Sequence, residues 1–324
     1  MKERLETERR AGAKAPAADV ALLTETRFAA AVAQPGDGYL VNILHDDRLL
    51  TEALASRGLT AVRLNWADPY VDWARYRCTV FRTTWDYFKR FSEFTAWLSR
   101  AERVTRVLNT PSIVRWNWDK HYLADLEAQG IPVVPSRFIE RGEARSLGQL
   151  LAETGWSDAI VKPCISGGAY HTYRIHAGNA AEVDEAVRGL LDDGALMLQP
   201  FQDDIVETGE DTLMVLGGRY THAVRKRAKR GDFRVQDDFG GTVERLEPKP
   251  EQMELAERAM AACASAGLPA PVYGRVDMVR GNDGRYAVME LEIIEPELWL
   301  RYHPPAAEVM AEAIALALSA SPAS

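Results

Sequence analysis

Apolar runs and helically spaced apolar positions alternate through the first hundred residues. Short continuous runs are typical of buried strands, and apolar residues that recur on one face indicate amphipathic helices. The first predicted helix ends before Gly58, a residue suited to the left-handed conformation that follows many helices. This order predicts a small doubly wound α/β domain. The predicted strands are Val20–Leu23, Thr60–Leu64 and Thr79–Arg82, and the predicted helices are Asp46–Arg57 and Phe91–Leu98.

A boundary is predicted at Thr110-Pro111, because proline interrupts the pattern there. Helices and short strands alternate up to residue 200, and strands predominate beyond it. The expected fold class is therefore α/β followed by α+β. The predicted helices are Asp119–Gln129, Glu182–Leu191, Glu251–Ala266 and Ala306–Leu318, and the strands are Val133–Val134, Ile160–Lys162, Leu196–Gln199, Thr212–Leu216, Arg219–Val224, Tyr273–Val279 and Tyr286–Leu291.

Length, charge and cysteine content narrow the class of protein. A chain of 324 residues suits two or three domains, and its net charge of −8 disfavours general binding to nucleic acid. No apolar run approaches the about 20 residues that span a bilayer, and residues 1–18 lack the apolar segment of a secretory signal. Cys78, Cys164 and Cys263 lie too far apart for a metal or disulfide motif. We therefore expect a cytoplasmic protein with a disordered N-terminal extension.

Three carboxylates mark a strand pair near the C-terminus. Asp277 lies on an apolar strand, Asn282–Gly284 is a hairpin turn signal, and Glu290 and Glu292 follow on the returning strand. Side chains alternate along a strand, so the two glutamates share a face, and the hairpin can bring Asp277 onto that face. Buried carboxylates need a metal or a cationic partner, and oxygen ligands favour Mg²⁺ or Mn²⁺. The alternative is a solvent-exposed acidic face of a sheet.

Two further segments are candidates for binding phosphate. Lys162 ends a predicted strand just before the turn Ser166–Gly168, where glycines let backbone N–H groups approach an anion. A surface turn is an equally good interpretation of that segment. Residues 225–234 carry six cationic side chains, which suits a flexible loop that closes over a triphosphate. A solvated charge run or a nucleic-acid patch is the alternative, and the acidic net charge disfavours the second of these.

Six short motifs follow one another at characteristic spacings. Together they resemble the ATP-grasp superfamily, in particular the glutathione-synthetase-like ligases and the subgroup of the O-ureido-D-serine cyclo-ligase. The resemblance covers residues 20–315, and the glutamate at position 292 agrees with the cyclo-ligase subgroup, since glutathione synthetases have asparagine there. The motifs are Phe81–Tyr87, Leu108–Pro111, Arg115–Lys120, Val161–Pro163, Leu198–Phe201 and Met289–Pro296.

The resemblance implies a three-part ATP-grasp fold that holds ATP between two α+β lobes. Residues 1–18 would precede the fold as the disordered extension. Residues 19–112 would form the N-terminal doubly wound α/β domain and residues 113–200 the central lobe. Residues 201–324 would form the C-terminal lobe, which carries the metal site.

The resemblance also implies roles for residues at matching positions. Asp277, Glu290 and Glu292 would hold Mg²⁺, and the turn Gly167–Gly168 would be a flexible lid over the phosphates. Lys120 and Lys162 would contact the phosphates, with Lys162 also near the adenine, and Lys226 would belong to the loop over the triphosphate. The segment Gln199, Pro200 and Phe201 would be a hinge whose backbone reads the adenine edge. Glu210, or alternatively Glu207, would bind the ribose hydroxyls.

The implied chemistry is the activation of a carboxylate by ATP to an acyl phosphate, which a nitrogen nucleophile converts to an amide. Arg225 and Arg234 are candidates to stabilise the charge that develops. Arg82, Trp85 and Asp86 lie at the end of an N-terminal strand and are candidates for holding the substrate. The structural alternative for these three residues is packing by Trp85 and an ion pair between Arg82 and Asp86.

These features predict an ATP-dependent carboxylate–amine ligase, or an intramolecular cyclo-ligase, that acts on an amino-acid-like small molecule or a short peptide. One alternative is a modifier of a peptide or protein substrate. Another is a catalytically inactive nucleotide-binding regulator, which the intact carboxylates and lysines disfavour. The expected cofactors are ATP and Mg²⁺, with Mn²⁺ as a substitute. We expect a small-molecule partner, no nucleic acid and no membrane, and a homodimer is one option for the assembly.

Overall fold

Three β-sheets follow one another along the chain in the computed structural model, which describes residues 17–236, 239–265 and 267–320. The strands are β1 (Ala18–Thr24), β2 (Ala61–Asn65), β3 (Tyr76–Thr83), β4 (Arg106–Leu108), β5 (Arg137–Ile139), β6 (Asp158–Pro163), β7 (Tyr173–His176), β8 (Leu196–Pro200), β9 (Glu210–Leu216), β10 (Arg219–Arg227), β11 (Thr242–Leu246), β12 (Tyr273–Arg280) and β13 (Tyr286–Glu292). The helices are α1 (Gly38–Ala55), α2 (Phe91–Ala101), α3 (Pro111–Asn117), α4 (Tyr122–Ala128), α5 (Leu147–Thr154), α6 (Ala180–Arg188), α7 (Leu190–Asp193), α8 (Asp204–Glu207), α9 (Pro250–Ser265) and α10 (Pro305–Ser319).

The N-terminal sheet is parallel throughout, with the strand order β2-β1-β3-β4. Its central strands β1 and β3 are almost wholly buried, as strands covered on both faces must be. Helix α1 begins at Gly38 rather than at Asp46. The Asp37 side chain caps this earlier start by accepting a hydrogen bond from the Leu40 N–H (3.0 Å). The sheet and its helices have the doubly wound α/β arrangement that the sequence predicted.

The middle sheet is antiparallel, with the strand order β5-β8-β6-β7. Helices α5 and α6 pack on it and form with it a hydrophobic core of its own. Helix α5 begins at a capping box, in which Ser146 and Gln149 each bond the other's backbone N–H. The helix predicted over Glu182–Leu191 is divided at Gly189 into α6 and α7.

The C-terminal sheet has five antiparallel strands in the order β11-β10-β9-β12-β13. Helix α9 packs on four of these strands, and α10 packs on β9 and on α1 of the N-terminal domain. One continuous hydrophobic core therefore joins the N-terminal domain to the C-terminal sheet. The order of α/β followed by α+β agrees with the prediction from the sequence.

The segment from Pro111 to Val134 differs most from the prediction. It forms two short helices: α4 lies within the helix predicted over Asp119–Gln129, and α3 was not predicted. Val133 makes a single bridge to Val288 instead of beginning a strand. The apolar side chains of this segment belong to the core shared with the C-terminal sheet, although the sequence assigned residues 113–200 to the central lobe.

The basic segment 225–234 is only partly a loop, which corrects the prediction. Strand β10 continues through Arg227, and Arg225 pairs with Glu244 of β11. Arg225 and Lys226 are therefore neighbouring strand residues, and their side chains point to opposite faces of the sheet.

The cysteines, the helices and the N-terminal extension bear on three predictions that were made from composition. The cysteines Cys78, Cys164 and Cys263 are all buried and form no disulfide. Of the helices in the described part of the chain, none is both long enough and apolar enough to cross a bilayer. Most of the predicted extension, residues 1–16, lies outside the described residues, and Ala18 already begins β1.

Tyr273 links the two parts of the shared core. Its hydroxyl accepts a hydrogen bond from the Phe81 N–H of β3 (2.9 Å) and donates one to the Leu108 carbonyl of β4 (2.9 Å). The side chain is fully buried, so water cannot replace either contact. One hydroxyl thus satisfies two backbone groups of the N-terminal sheet from a strand of the C-terminal sheet.

Replacement of Tyr273 by Phe should lower the free energy of unfolding by about 1–3 kcal/mol, because Phe81 and Leu108 each lose a buried partner. For a chain of this size each kcal/mol corresponds to about 2–4 °C in Tm, which thermal unfolding would measure. The matched control is Tyr70→Phe, since the Tyr70 side chain is 94% exposed, and its Tm should equal that of the wild type. An unchanged Tm for Tyr273→Phe would show that the hydroxyl does not hold the two sheets together.

Candidate active site

A cavity of about 590 Å³ lies between the middle sheet and the C-terminal sheet, and the N-terminal domain closes one end of it. Its wall has three parts. An apolar part beside the connection between β8 and β9 includes Ile160 and Met289, and a charged part follows the β12–β13 hairpin. The third part is aromatic and comes from the N-terminal domain, with Tyr39, Trp85 and Phe88. Such a mixed cavity suits a ligand that has both apolar and strongly charged groups.

The β12–β13 hairpin brings three carboxylates together in the cavity wall. Asp277 lies directly opposite Glu290, and Glu292 follows two residues later on the same face. One oxygen from each of the three lies within 4.8 Å of the other two. Asp277 is only 2% exposed and the glutamates are half-buried, so the group lines a cleft and is not an exposed acidic face. The oxygen-only set has the composition that a hard divalent cation prefers.

Two lysines neutralise Glu290 from the side of the middle sheet. The Lys120 Nζ lies 3.1 Å from the Glu290 Oε1 and donates a hydrogen bond to the Ser166 carbonyl (2.6 Å). The Lys162 Nζ lies 3.5 Å from the same Glu290 oxygen. Lys120 precedes α4 and Lys162 belongs to β6, so these contacts connect the glycine turn and the middle sheet with the carboxylate hairpin.

Two more cations neutralise the carboxylates from within the C-terminal sheet. The Lys226 Nζ contacts Glu210 and lies 3.0 Å from the Asp277 Oδ2. Arg275 donates hydrogen bonds to both oxygens of Asp277 (2.9 and 2.7 Å) and contacts Glu292. Sequence reasoning missed Arg275. The available signal was its position two residues before Asp277, since the period of two along a strand places both side chains on one face.

The surrounding cations decide which carboxylates stay ionised. Burial opposes ionisation of Glu290, but Lys120 and Lys162 outweigh it, and the pKa of Glu290 falls to about 2. Burial of Asp277 is likewise outweighed by its two cations, which hold its pKa below the ordinary value. Burial prevails at Glu292, whose pKa lies well above the ordinary value, and at Glu210, whose pKa rises to about 7. The cations thus favour the ionised forms of Asp277 and Glu290 more strongly than those of Glu292 and Glu210.

The segment Gln199–Phe201 passes the apolar end of the cavity, where the resemblance placed a hinge whose backbone reads adenine. Pro200 has no N–H to donate. The Phe201 N–H already donates to the Asp158 carbonyl (2.9 Å). Gln202 follows and lines the cavity. Its backbone N–H is the first one after β8, among the described residues, that has no hydrogen-bond partner.

The two candidates for the ribose hydroxyls lie in different places. Glu210 is buried at the beginning of β9, lines the cavity and contacts Lys226. Glu207 is exposed on the short helix α8 and is not part of the cavity wall. The geometry therefore favours Glu210 over Glu207.

The turn at Gly167 and Gly168 lies over the cavity and touches the N-terminal domain. Gly168 has a φ of +57°, which glycine adopts without strain. A Cβ on Gly167 would approach the Phe88 ring to 3.0 Å and a Glu295 carboxylate oxygen to 3.5 Å. The Tyr170 ring packs on Phe88, with centroids 5.5 Å apart. Glycine at position 167 thus permits the turn to lie close against both parts of the wall.

The two candidate catalytic arginines occupy different environments. Arg225 lies outside the cavity wall and donates hydrogen bonds to both oxygens of Asp211 (2.6 and 3.0 Å). Alternation along β10 turns Lys226 towards the cavity instead, so the geometry does not bring Arg225 to the site. Arg234 follows β10, lines the cavity and pairs with Asp232 (2.7 Å). Only Arg234 is therefore placed to meet a ligand.

Of the three candidate substrate residues, only Trp85 lines the cavity. Arg82 is buried and pairs with Asp47 (2.9 Å). Asp86 pairs with Arg90 (3.0 Å), so the alternative of an ion pair between Arg82 and Asp86 is not observed. Arg82 is buried inside the N-terminal domain and Asp86 is half-buried there, and each is paired with another residue of that domain.

Several residues of the cavity wall were not predicted. Phe88 and Lys89 directly follow the first of the six motifs, and Glu295 lies within the last, so proximity to a motif was the available signal. Arg27 lies in the connection between β1 and α1, and Tyr39 lies in the first turn of α1, and no local pattern marks either residue. Their position is decided by how the N-terminal domain packs on the rest of the chain.

Comparisons with known proteins agree with this fold. Residues 20–109 match the family described as D-cycloserine synthetase DcsG, N-terminal domain. The chain is 35% identical over 286 residues to the cycloserine biosynthesis protein DcsG of Streptomyces lavendulae. These aligned residues cover 86% of this chain and 96% of the relative. The crystal structure of the D-cycloserine synthetase DcsG has a TM-score of 0.80 at 33% identity, over 93% of this chain and 99% of that chain. An ATP-grasp RimK domain protein from Sphaerobacter thermophilus shares the fold, with a TM-score of 0.63 at 20% identity, over 91% of this chain and 98% of that chain.

The fold and the cavity with its paired carboxylates and lysines define a class, the ATP-grasp ligases. Within it, the chain belongs to the family of the D-cycloserine synthetase DcsG. It is therefore an ATP-dependent ligase that forms carbon–nitrogen bonds, as the sequence predicted. The alternative of an inactive regulator does not agree with these relatives.

The two arginines should respond differently to replacement by alanine. Arg234→Ala should lower kcat by about 10²-fold with little change in Tm, because Arg234 lines the cavity from a loop. Arg225→Ala should lower the free energy of unfolding by about 1–3 kcal/mol, because buried Asp211 loses a charged partner. ADP release and thermal unfolding measured on both variants check this. Loss of turnover in Arg225→Ala at an unchanged Tm would contradict the assignment.

Proposed function

We propose that this chain joins a carboxylate to a nitrogen nucleophile through an acyl phosphate formed from ATP. The nucleophile belongs either to a second molecule or to the same molecule, which would close a ring. The observation that carries the proposal is the set of cations around three carboxylates in one cavity. The names of the relatives support an amino-acid-like small molecule as substrate, and so does a cavity of about 590 Å³ that must also receive ATP.

In this proposal the nucleotide lies along the cavity from its apolar end to its charged end. Adenine lies against Ile160 and Met289, and the backbone beside the hinge reads its edge. Glu210 binds the ribose hydroxyls. The phosphates lie beneath the turn Gly167–Gly168, where Lys120, Lys162 and Lys226 neutralise them, because these lysine nitrogens already face the carboxylate hairpin.

Mg²⁺ would be held by Asp277, Glu290 and Glu292, whose oxygens are close enough to share one ion. An all-oxygen set of this kind fits Mg²⁺, and Mn²⁺ is the alternative. The ion would neutralise charge on the phosphate oxygens during transfer. Arg275 bonds Asp277 and contacts Glu292, so it orients two of the three carboxylates towards each other.

The proposed reaction has two steps. An oxygen of the substrate carboxylate attacks the γ-phosphorus, the bond to the bridging oxygen breaks, and ADP leaves. The nitrogen then attacks the acyl carbon and loses a proton to solvent, the bond from that carbon to the phosphate oxygen breaks, and inorganic phosphate leaves with the electron pair of that bond. The protein contributes position and positive charge to both steps. We assign Arg234 to the developing charge and Trp85 to the substrate wall, since both line the cavity.

Glu290→Gln should lower ATP turnover by about 10²–10³-fold, because it removes a charge from the metal ligands at constant size. Calorimetry should also show that Mg²⁺ no longer strengthens the binding of ATP. The matched control is Asp283→Asn at the exposed tip of the same hairpin, which should leave both quantities unchanged. Wild-type turnover in Glu290→Gln would contradict the metal assignment.

Hydroxylamine tests the acyl phosphate without knowledge of the natural nucleophile. It attacks acyl phosphates to give hydroxamates, so we would incubate the wild type with ATP, Mg²⁺, hydroxylamine and a panel of acids. The panel holds D- and L-amino acids and O-ureido-D-serine. We expect equimolar ADP and hydroxamate from at least one acid, and neither product with Glu290→Gln. Acid-dependent ADP release without any hydroxamate would contradict the proposed intermediate.

A further inference from the structure

A second group of side chains of the types that bind metals lies outside the cavity wall. It consists of Asp119, His121 and Cys164, and one ligand atom from each lies within 4.8 Å of the other two. Asp119 and His121 flank Lys120 just before α4, and Cys164 directly follows β6. The cysteine spacing predicted no metal motif, because these residues are far apart in the sequence and only the fold brings them together.

Two carboxylates hold the imidazole ring of His121. Its Nδ1 lies 2.5 Å from the Asp119 Oδ1, and its Nε2 lies 2.9 Å from the Glu140 Oε1. The ring also stacks on Phe138, with centroids 4.1 Å apart. A histidine that binds a metal through one ring nitrogen usually donates the N–H of the other nitrogen to a carboxylate, which fixes the ring. Glu140 is in the position of that outer carboxylate, which leaves Nδ1, on the side of Asp119, for a metal.

The Cys164 thiol is buried and has no hydrogen-bond partner among the described residues. The negative charges of Asp119 and Glu140 act on it, and the positive charges of Lys120 and Lys162 oppose them. Both lysines already pair with the carboxylate hairpin. Burial, the largest effect, raises the pKa of Cys164, so the protein by itself keeps the thiol protonated. Coordination to a metal ion removes that proton and gives the sulfur a partner.

The donor atoms of this group indicate a borderline metal ion and not Mg²⁺. One thiolate sulfur, one imidazole nitrogen and one carboxylate oxygen are ligands typical of Zn²⁺, whereas Mg²⁺ takes oxygen ligands. The thiolate and the carboxylate together carry two negative charges, which match the charge of the ion. Asp119 and His121 are half-exposed, so an ion can enter from solvent and a water molecule can complete its tetrahedral shell. The group therefore selects a different ion from the oxygen-only hairpin.

We propose that Asp119, His121 and Cys164 form a second cation site, which binds Zn²⁺ or a similar borderline divalent ion and stabilises the fold around Lys120. The Lys120 N–H donates a hydrogen bond to the Cys164 carbonyl (3.0 Å), and the Lys120 Nζ lies 3.1 Å from the Glu290 Oε1. An ion at this site joins the start of α4 to the end of β6, next to the residue that pairs with the carboxylate hairpin. The inference does not depend on the proposed acyl-phosphate chemistry.

Titration of the untagged full chain with Co²⁺ in excess Mg²⁺ tests the site. A thiolate bound to Co²⁺ gives a charge-transfer absorption band, which the oxygen-only hairpin cannot give, so the band reports coordination by a cysteine. We expect this band in the wild type and its loss in Cys164→Ala. Zn²⁺ binds such ligands more tightly than Co²⁺, so a single equivalent of Zn²⁺ should remove the band from the wild type.

Two further variants test the ligand and its outer partner. Glu140→Gln should weaken Zn²⁺ binding by about 10–100-fold, because it alters the carboxylate that orients His121. His121→Asn should weaken binding by more than about 100-fold, because loss of a ligand costs more than loss of its outer partner. Zn²⁺ should also raise the Tm of the wild type and leave that of His121→Asn unchanged. The matched control is His45→Asn, an exposed histidine on α1, which should bind Zn²⁺ as the wild type does.

Two outcomes would overturn the proposal. A wild type with neither a thiolate band nor a Zn²⁺-dependent rise in Tm would leave a proton, and not a metal, between His121 and its carboxylates. Zn²⁺ binding that both His121→Asn and Cys164→Ala leave unchanged would place the ion elsewhere, for example at the hairpin. If Cys164→Ala does not fold, the half-exposed His121 and the exposed Glu140 still decide the question. Absence of hydroxamate in the earlier assay would contradict the acyl phosphate alone and leave this site unaffected.

Discussion

Charge compensation inside the cavity is the constraint on which the rest of the structure depends. An ionised carboxylate taken from water without a partner costs several kcal/mol at the order of magnitude, so the acidic hairpin requires cations from other elements. Lys162 comes from the middle sheet and Lys120 from the segment before α4, while Arg275 lies within the hairpin itself. The ion pairs that make Asp277 and Glu290 tolerable therefore also set the position of the middle sheet against the C-terminal sheet. The lysines that neutralise the carboxylates are the same groups that the proposed function assigns to the phosphates.

The fold could be predicted where local pattern and tertiary packing agree. Four of the five strands of the C-terminal sheet were placed to within a few residues, because each is a long apolar or alternating run bounded by turn residues, whereas β11 was not predicted. The prediction for residues 111–134 was incomplete, because long-range contacts determine the conformation of this segment. The Asn117 side chain donates to the Leu291 carbonyl (2.7 Å), and the Leu291 N–H donates to the Tyr122 hydroxyl (2.8 Å). These bonds fix α3 and α4 against β13, and nothing in the local sequence marks them.

The site could be predicted where residues share one strand or one turn. The hairpin signal and the period of two placed Asp277 beside the glutamates, as the register shows. The same rule, applied to β10, would have distinguished Lys226 from Arg225, but the cationic run was read as a loop, where no alternation holds. The buried position of Arg82 could not be predicted for a different reason. Its partner Asp47 lies 35 positions earlier on α1, and only the packed N-terminal domain brings the two together.

The hydrophobic core joins all three parts of the chain around the cavity. The N-terminal domain and the C-terminal sheet share one core, and the segment Glu295–Arg301 after β13 is bonded to the N-terminal domain at both ends. The middle sheet has a core of its own, but Met197 of β8 and Cys164 after β6 belong to the shared core. Apolar packing, as well as the ion pair of Lys162 with Glu290, therefore fixes the middle sheet against the carboxylate hairpin. The charged end of the cavity is thus held in place by contacts that lie outside it.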